Sequence, residues 1–113
     1  MPDSNCAARL VLTTCASPEE AARLGRLFVN ERLAACATLI PGAQSIFLWQ
    51  GAVEESIETL MLIKTETAQL PALETRLHEL HSYETPEFLV LDADSGSRPY
   101  LDWLHRPLQH PQP

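Results

Sequence analysis

Three short runs in this chain are apolar at every position along an extended backbone: Leu10-Val11-Leu12, Leu60-Met61-Leu62-Ile63 and Phe88-Leu89-Val90-Leu91. Successive side chains of a strand point to opposite faces, so a sheet with one wet face alternates apolar and polar residues. These runs do not alternate. A sheet built from them has to be covered on both faces, which limits what the rest of the chain must supply.

The remaining pattern supplies helices for one face only. Arg9–Thr14 reads as a first strand. Ser17-Pro18-Glu19-Glu20 then announces a helix: Ser17 caps, Pro18 fits the first helical position, and Glu20 completes the spacing of a capping box. Ala21, Leu24 and Phe28 share one face, and the helix is expected to run to Leu33. Cys36–Trp49 reads as a strand with a bulge or bend at Pro41-Gly42, because proline removes a ladder donor. Gln50-Gly51 gives a turn, and Val53–Thr65 returns as the second arm of a long hairpin. A second helix is expected over Ala68–His81, with Thr67 as its cap, Pro71 in its first turn and Leu70, Leu73, Leu77 and Leu80 as its apolar stripe. Glu87–Asp92 is a fourth strand, and Ser97–His105 a short last helix opened by Pro99. Residues 1–8 and the proline-rich 106–113 read as flexible termini around a single domain, 9–105.

The order β-α-β-β-α-β is the split βαβ arrangement: an α+β, ferredoxin-like sandwich with a long β2–β3 hairpin and a short C-terminal helix. Two helices cover one sheet face. The other face is then an apolar patch of the kind that marks an interface, so the pattern predicts a homo-oligomer.

Composition narrows the partners. The net charge of −7 speaks against nucleic acid, which calls for a basic stripe. Acidity fits cations or small neutral ligands, and it equally serves solubility. No run approaches the roughly 18 apolar residues of a membrane span, and Met1-Pro2-Asp3-Ser4-Asn5 lacks the basic start of a signal peptide, so the expected compartment is the cytoplasm. Cys6, Cys15 and Cys36 are odd in number and show no CxxC spacing, which indicates neither a disulfide framework nor a zinc knuckle. Cys36, between alanines, reads as a small core residue.

Chemistry-bearing side chains concentrate in Leu80–Phe88, where His81, Tyr83, Glu84 and Glu87 link a helix to a buried strand. Rigid elements flanking a short polar linker suit a site. The bland alternative has His81 satisfying the last helix carbonyls and Pro86 fixing the start of the strand. Lys64, the only lysine in the chain, falls by period-two counting on the face of Leu60 and Leu62. It either extends to the rim of the core or stands in a groove beside Tyr83 or Glu84 and holds an anionic ligand. His105 and His110 read as solvated bystanders. No nucleophile–base–orienter set stands out, so the residues point to a binding protein rather than an enzyme.

Several segments together resemble the CutA family of divalent-cation tolerance proteins. They are Glu31-Arg32-Leu33-Ala34-Ala35-Cys36-Ala37, Ile40-Pro41-Gly42, Ser45-Ile46-Phe47-Leu48-Trp49-Gln50-Gly51, Leu62-Ile63-Lys64-Thr65, His81-Ser82-Tyr83-Glu84-Thr85-Pro86-Glu87 and Tyr100-Leu101-Asp102-Trp103-Leu104. The resemblance covers about residues 9–105. It implies a cytoplasmic homotrimer, like the PII signalling proteins in architecture, with tolerance of copper and other divalent metals as its role and no organic cofactor. It also implies a polar groove between subunits, lined by Cys36, Trp49, Lys64, His81, Tyr83, Glu84 and Trp103. Such a groove suits a divalent metal ion or, on the PII-like alternative, a small anionic metabolite. Ser82 replaces the proline of the family's His-Pro-Tyr and is expected to loosen the loop. The family's copper ligands are a strand-end cysteine and two adjacent histidines. Here the corresponding strand position reads as Thr13, with Cys15 two residues on, and only His81 of the pair is present. His78, one turn earlier, joins His81 and Cys15 as the expected metal set.

Overall fold

The computed structural model describes residues 6–109. Its elements are β1 (Ala8–Cys15), α1 (Pro18–Asn30), β2 (Cys36–Trp49), β3 (Ala52–Glu66), a 3-10 turn (Thr67–Gln69), α2 (Leu70–Leu80), β4 (Leu89–Asp92) and α3 (Arg98–Leu108). The four strands form one antiparallel sheet in the order β2-β3-β1-β4, the ferredoxin-like arrangement expected from the sequence.

Register assigns every strand residue to a face. Val11 lies opposite Ile63 and Val90, and Thr13 lies opposite Met61. With Cys15 these residues lie on the face that α1 and α2 cover, where Leu24, Phe28, Leu73 and Leu77 close on Val11, Met61 and Ile63 and leave all seven 0% exposed, while Val90 on the edge strand stays 40% exposed. Leu10, Leu12, Leu60, Leu62 and Lys64 occupy the other face, together with Leu89 and Leu91. Among the described helices, only α3 reaches that side. Leu104 and Leu108 pack against Ala8 and Ala35 at one end of it, while Leu89 stays 57% and Leu91 47% exposed.

The hairpin is regular except where proline and glycine say otherwise. Ile40 pairs with Leu60 and Ala43 with Glu58, so one extra residue is absorbed at Pro41-Gly42, with Gly42 at φ 79°. Trp49 pairs with Ala52 across Gln50 (φ 51°) and Gly51 (φ 84°), the two left-handed residues of a type I′ turn, whose twist matches that of the strands. The arms project beyond the core. The radius of gyration is 15.0 Å, against about 13 Å for a compact chain of this length.

Several boundaries differ from expectation; β4, for one, begins at Leu89 rather than Glu87. α1 stops at Asn30 rather than Leu33 because Arg32 turns left-handed at φ 62°. The Arg32 N–H then donates to the Val29 carbonyl at 3.1 Å and the Leu33 N–H to the Phe28 carbonyl at 2.9 Å, a Schellman pair with arginine where glycine is usual. Thr67 does not cap α2. Its hydroxyl donates to the Ala7 carbonyl, and a 3-10 turn intervenes before Leu70. His81 leaves the helix with extended geometry, φ −71° and ψ 143°. Finally, the outermost elements run past the expected Arg9–Thr14 and Ser97–His105. Ala8 is a buried β1 residue, and α3 runs on to Leu108, which is 3% exposed. Leu104 and Leu108 are one helical turn apart and bury together. Pro107 sits in the last turn, where its ring forfeits only the bond to the Trp103 carbonyl. Residues 1–5 and 110–113, including His110, lie outside the described residues.

Candidate functional site

The last residue of β1 anchors the densest group of reactive side chains. Cys15 is buried on the helix-covered face, and its Sγ stands 3.7 Å from His81 Nε2 and 3.6 Å from Met61 Sδ. Glu20, in the first turn of α1, completes a set in which the ligand atoms of Cys15, Glu20 and His81 all lie within 4.8 Å of one another, each residue buried. Three elements converge here because β1, α1 and the loop after α2 all end at the same edge of the core.

Hydrogen bonds fix the His81 ring. Nε2 faces the Thr14 carbonyl at 2.8 Å, which requires a proton on that nitrogen, while the Tyr83 N–H donates to Nδ1 at 3.0 Å, which requires a lone pair there. The side chain is 0% exposed, and Nδ1 lies 3.8 Å from Glu20 Oε2. The carboxylate of Glu20 accepts from the Ser82 N–H at 2.8 Å and the Ser82 hydroxyl at 2.9 Å. Burial works to raise the Glu20 carboxyl, and the two Ser82 bonds more than offset it, holding the group below the usual carboxylate range. The capping box is therefore half built. Ser17 Oγ accepts from the Glu20 N–H at 3.1 Å, but the Glu20 side chain turns to Ser82 instead. Ser82 does not loosen the loop. It ties the loop to α1, and a proline there lacks both the N–H and the hydroxyl that make the tie.

The loop then wraps around the end of β1 to the other sheet face. Tyr83 stacks at 4.7 Å on His81 and donates its hydroxyl to Glu58 at 2.6 Å. Glu58 lies one residue past the last β1 partner on β3, so the tyrosine fills space that β1 vacates. Burial opposes the Glu58 charge, and hydrogen bonds from Ser45, Tyr83 and Thr14 prevail, so this carboxyl too is held low. Burial and the adjacent Glu58 push the Tyr83 phenol well above its ordinary value.

Thiol, imidazole and carboxylate in sequence resemble the layout of a cysteine hydrolase, but the electrostatics are opposite. A nucleophilic cysteine needs a depressed pKa. Burial, followed by the charge of Glu20, pushes the Cys15 thiol up to about 12. The group is a protonated, water-excluded thiol, which binds a metal only by giving up its proton. A surface hollow of about 440 Å³ between α1 and β2, lined mainly by Ala22, Gly25, Val29, Ala37 and Leu39, shares no residue with it.

The other expected residues scatter within one chain. Lys64 lies on the open face as counted, but its Nζ donates to Thr38 Oγ1 at 3.3 Å beside Cys36, its cross-strand partner. That is six β3 residues from Glu58, or about 20 Å at the rise of a strand, so a single chain does not place Lys64 beside Tyr83 or Glu84. Trp49 sits at the exposed hairpin tip, Glu84 is exposed on the loop, and Trp103 lies on α3, half-exposed beside Tyr100. Cys36 is partly exposed rather than core. His78 does not join His81. The helix ends between them, so the one-turn relation is lost and His78 stays on the exposed side of α2. Thr13 is buried, and its hydroxyl has no partner among the described residues. His105 is no bystander, since its Nδ1 meets the Glu66 carboxylate at 2.9 Å and pins α3 to β3. Sequence reasoning misses two members of the cluster. Glu20 is absorbed by its capping role and Met61 by its place in an apolar strand. Only the fold brings either to Cys15.

The family model for the CutA1 divalent ion tolerance protein matches residues 9–107. A divalent-cation tolerance protein CutA from Pectobacterium atrosepticum is 44% identical over 101 residues, covering 88% of this chain and 92% of the relative. The solved structure of divalent cation tolerance protein (Cut A1) from Thermus thermophilus superposes with a TM-score of 0.84 at 45% identity, over 86% of this chain and 94% of that one. The periplasmic divalent cation tolerance protein CutA from Archaeoglobus fulgidus superposes with a TM-score of 0.86 at 29% identity, over 89% and 98% of the two chains.

Proposed function

Because this chain belongs to the CutA1 divalent ion tolerance family, we propose that it is a metal-ion tolerance or response protein. In this reading it takes up a copper-type ion at the Cys15–Glu20–His81 cluster and works as a cytoplasmic homotrimer. The observation that carries the reading is the cluster itself: three buried donors from three elements, converging within 4.8 Å. The ion is cargo. Cys15 supplies a thiolate once its proton leaves, His81 an imidazole, and Glu20 a negative charge already in place.

Assembly is supported by the open sheet face, where Leu89, Leu91 and Ile40 stand exposed beside Leu10, Leu12, Leu60 and Leu62. The number three is the expectation of the family likeness. Three free cysteines fit a reducing compartment. No helix among the described residues is long and apolar enough to cross a membrane.

Native mass spectrometry of the wild type, His81→Ala and Cys15→Ser, with and without one equivalent of Cu(II) or Zn(II), tests both halves. The expected result is a trimer with one ion per chain, lost in both variants. A monomeric apo protein would overturn the assembly, and unchanged ion retention in the variants would overturn the site.

One observation favours a second reading, a PII-like sensor of a small anion. The half-buried Lys64 ammonium has three donors and one hydrogen-bond partner among the described residues, Thr38. This reading expects anion-dependent thermal stabilisation that Lys64→Ala abolishes.

A further inference from the structure

We propose that Met61 completes the ion site and that the species bound there is monovalent copper, Cu(I), held by Cys15 Sγ, Met61 Sδ and His81 Nε2. The inference rests on reading the Cys15 cluster as a copper-type ion site, and it adds to that reading the ion's oxidation state and the ligand Met61.

The spacing fits. First-row metals sit about 2.3 Å from sulfur and 2.0 Å from imidazole nitrogen, so two donors sharing one metal at trigonal to tetrahedral angles stand about 3.5–4.0 Å apart. Cys15 Sγ lies 3.6 Å from Met61 Sδ and 3.7 Å from His81 Nε2. These pairs already stand at bridging distance around the shared sulfur. Cys15 and Met61 are both 0% exposed, so neither sulfur meets water.

Donor chemistry decides the ion. A thioether is a soft, neutral ligand that selects Cu(I), whereas hard divalent cations prefer oxygen. Two sulfurs and one nitrogen in a dry pocket make a soft site. Opposite Met61 on β1 stands Thr13, whose buried hydroxyl has no partner among the described residues.

Glu20 then acts on the metal through His81. An ion at Nε2 would displace the Thr14 carbonyl and move the ring proton to Nδ1, and the Tyr83 N–H that now donates to Nδ1 would have to give up that bond. That nitrogen faces Glu20 Oε2, 3.8 Å away. A carboxylate receiving the far N–H of a metal-bound imidazole is the usual way such a ring is oriented and made more basic. The exchange balances. The thiol S–H bond breaks, an S–Cu bond forms, and one proton leaves for solvent. The imidazole keeps one proton, and the pocket keeps its charge because Cu⁺ replaces H⁺. A divalent ion would add one positive unit. Access is through the loop over the cluster, whose Ser82, Glu84 and Thr85 are exposed.

The test is an anaerobic titration of the assembled protein with Cu(I) against a chromophoric Cu(I) chelator, with Co(II) in parallel, on wild type and Met61→Leu. Leucine preserves volume and apolarity, so the fold is kept. The expected result is one Cu(I) per chain in the wild type and an affinity loss in Met61→Leu of at least about tenfold, the lower bound for disturbing a ligand shell, with Co(II) binding unchanged. X-ray absorption of the wild-type Cu(I) protein should show two sulfur scatterers and one nitrogen, a readout independent of any variant. Wild-type Cu(I) affinity in Met61→Leu, or a single-sulfur spectrum, would overturn the proposal. Co(II) binding that needs Cys15 but is not accompanied by Cu(I) binding would overturn it while leaving the ion-site reading intact. Retention of neither ion would sink both.

Discussion

The two faces of the sheet carry nearly the same chemistry and meet opposite fates. Val11, Met61 and Ile63 on one face are 0% exposed, while Leu89 and Leu91 on the other are about half exposed. The difference lies not in the strands but in what the chain has to lay over them. Two amphipathic helices finish the first face, and α3 reaches only the Ala8–Ala35 end of the second. Hydrophobic strands thus report that a face will be covered, not by whom. The loop His81–Glu87 joins the two faces, since His81 seals the covered side and Tyr83 reaches Glu58 on the open one.

The largest effect is expected on the open face. Leu89→Glu places a charge where the proposed assembly must close, and should convert the oligomer to a monomer of unchanged helical circular dichroism. Size-exclusion chromatography with light scattering reads this directly, and an intact oligomer would show that this face is not the interface. Next comes Phe28→Ala on the covered face, which should cost about 3–5 kcal/mol, read as a lower urea midpoint at fixed protein concentration. The smallest is Ser82→Ala at the junction. It removes one hydrogen bond to a buried carboxylate and should cost about 1.5–3 kcal/mol at neutral pH. Because Ser82 holds the Glu20 carboxyl below its unfolded value, its stabilisation is present above the ordinary carboxylate range and fades as pH falls through the folded value. Urea midpoints of wild type and variant should therefore differ at pH 7 and converge in acid. A gap that persists in acid would assign Ser82 a purely structural role.

Much of the fold was legible because it depends on local rules. Periodicity placed all four strands, Pro41-Gly42 located the bulge, and Gln50-Gly51 located the turn to the residue. Boundaries failed where one residue adopts a conformation that its type does not announce: Arg32 turns left-handed without being glycine, and His81 extends where the leucine stripe suggests another helical turn. Leu108 was hidden among prolines, though its spacing from Leu104 is the helical signal. The candidate site was half legible. His81 stood out by type, and Cys15 through the family resemblance. Glu20 and Met61 did not, because their meaning depends on contacts 62 and 46 residues away along the chain, Glu20 with Ser82 and Met61 with Cys15. His78 was drawn in by helical spacing that the backbone does not continue.

The strand order has a consequence for synthesis. β1 leaves the ribosome before the other three strands of its sheet, yet it is an inner strand, and its partners are β3 and β4. Leu12 pairs with Leu62, 50 residues later, so at about 5–20 residues per second the Leu10-Val11-Leu12 run waits about 2.5–10 s for its first neighbour. During that interval the nascent chain exposes an unpaired apolar strand with two free edges, the state in which cross-pairing with a second chain competes with folding.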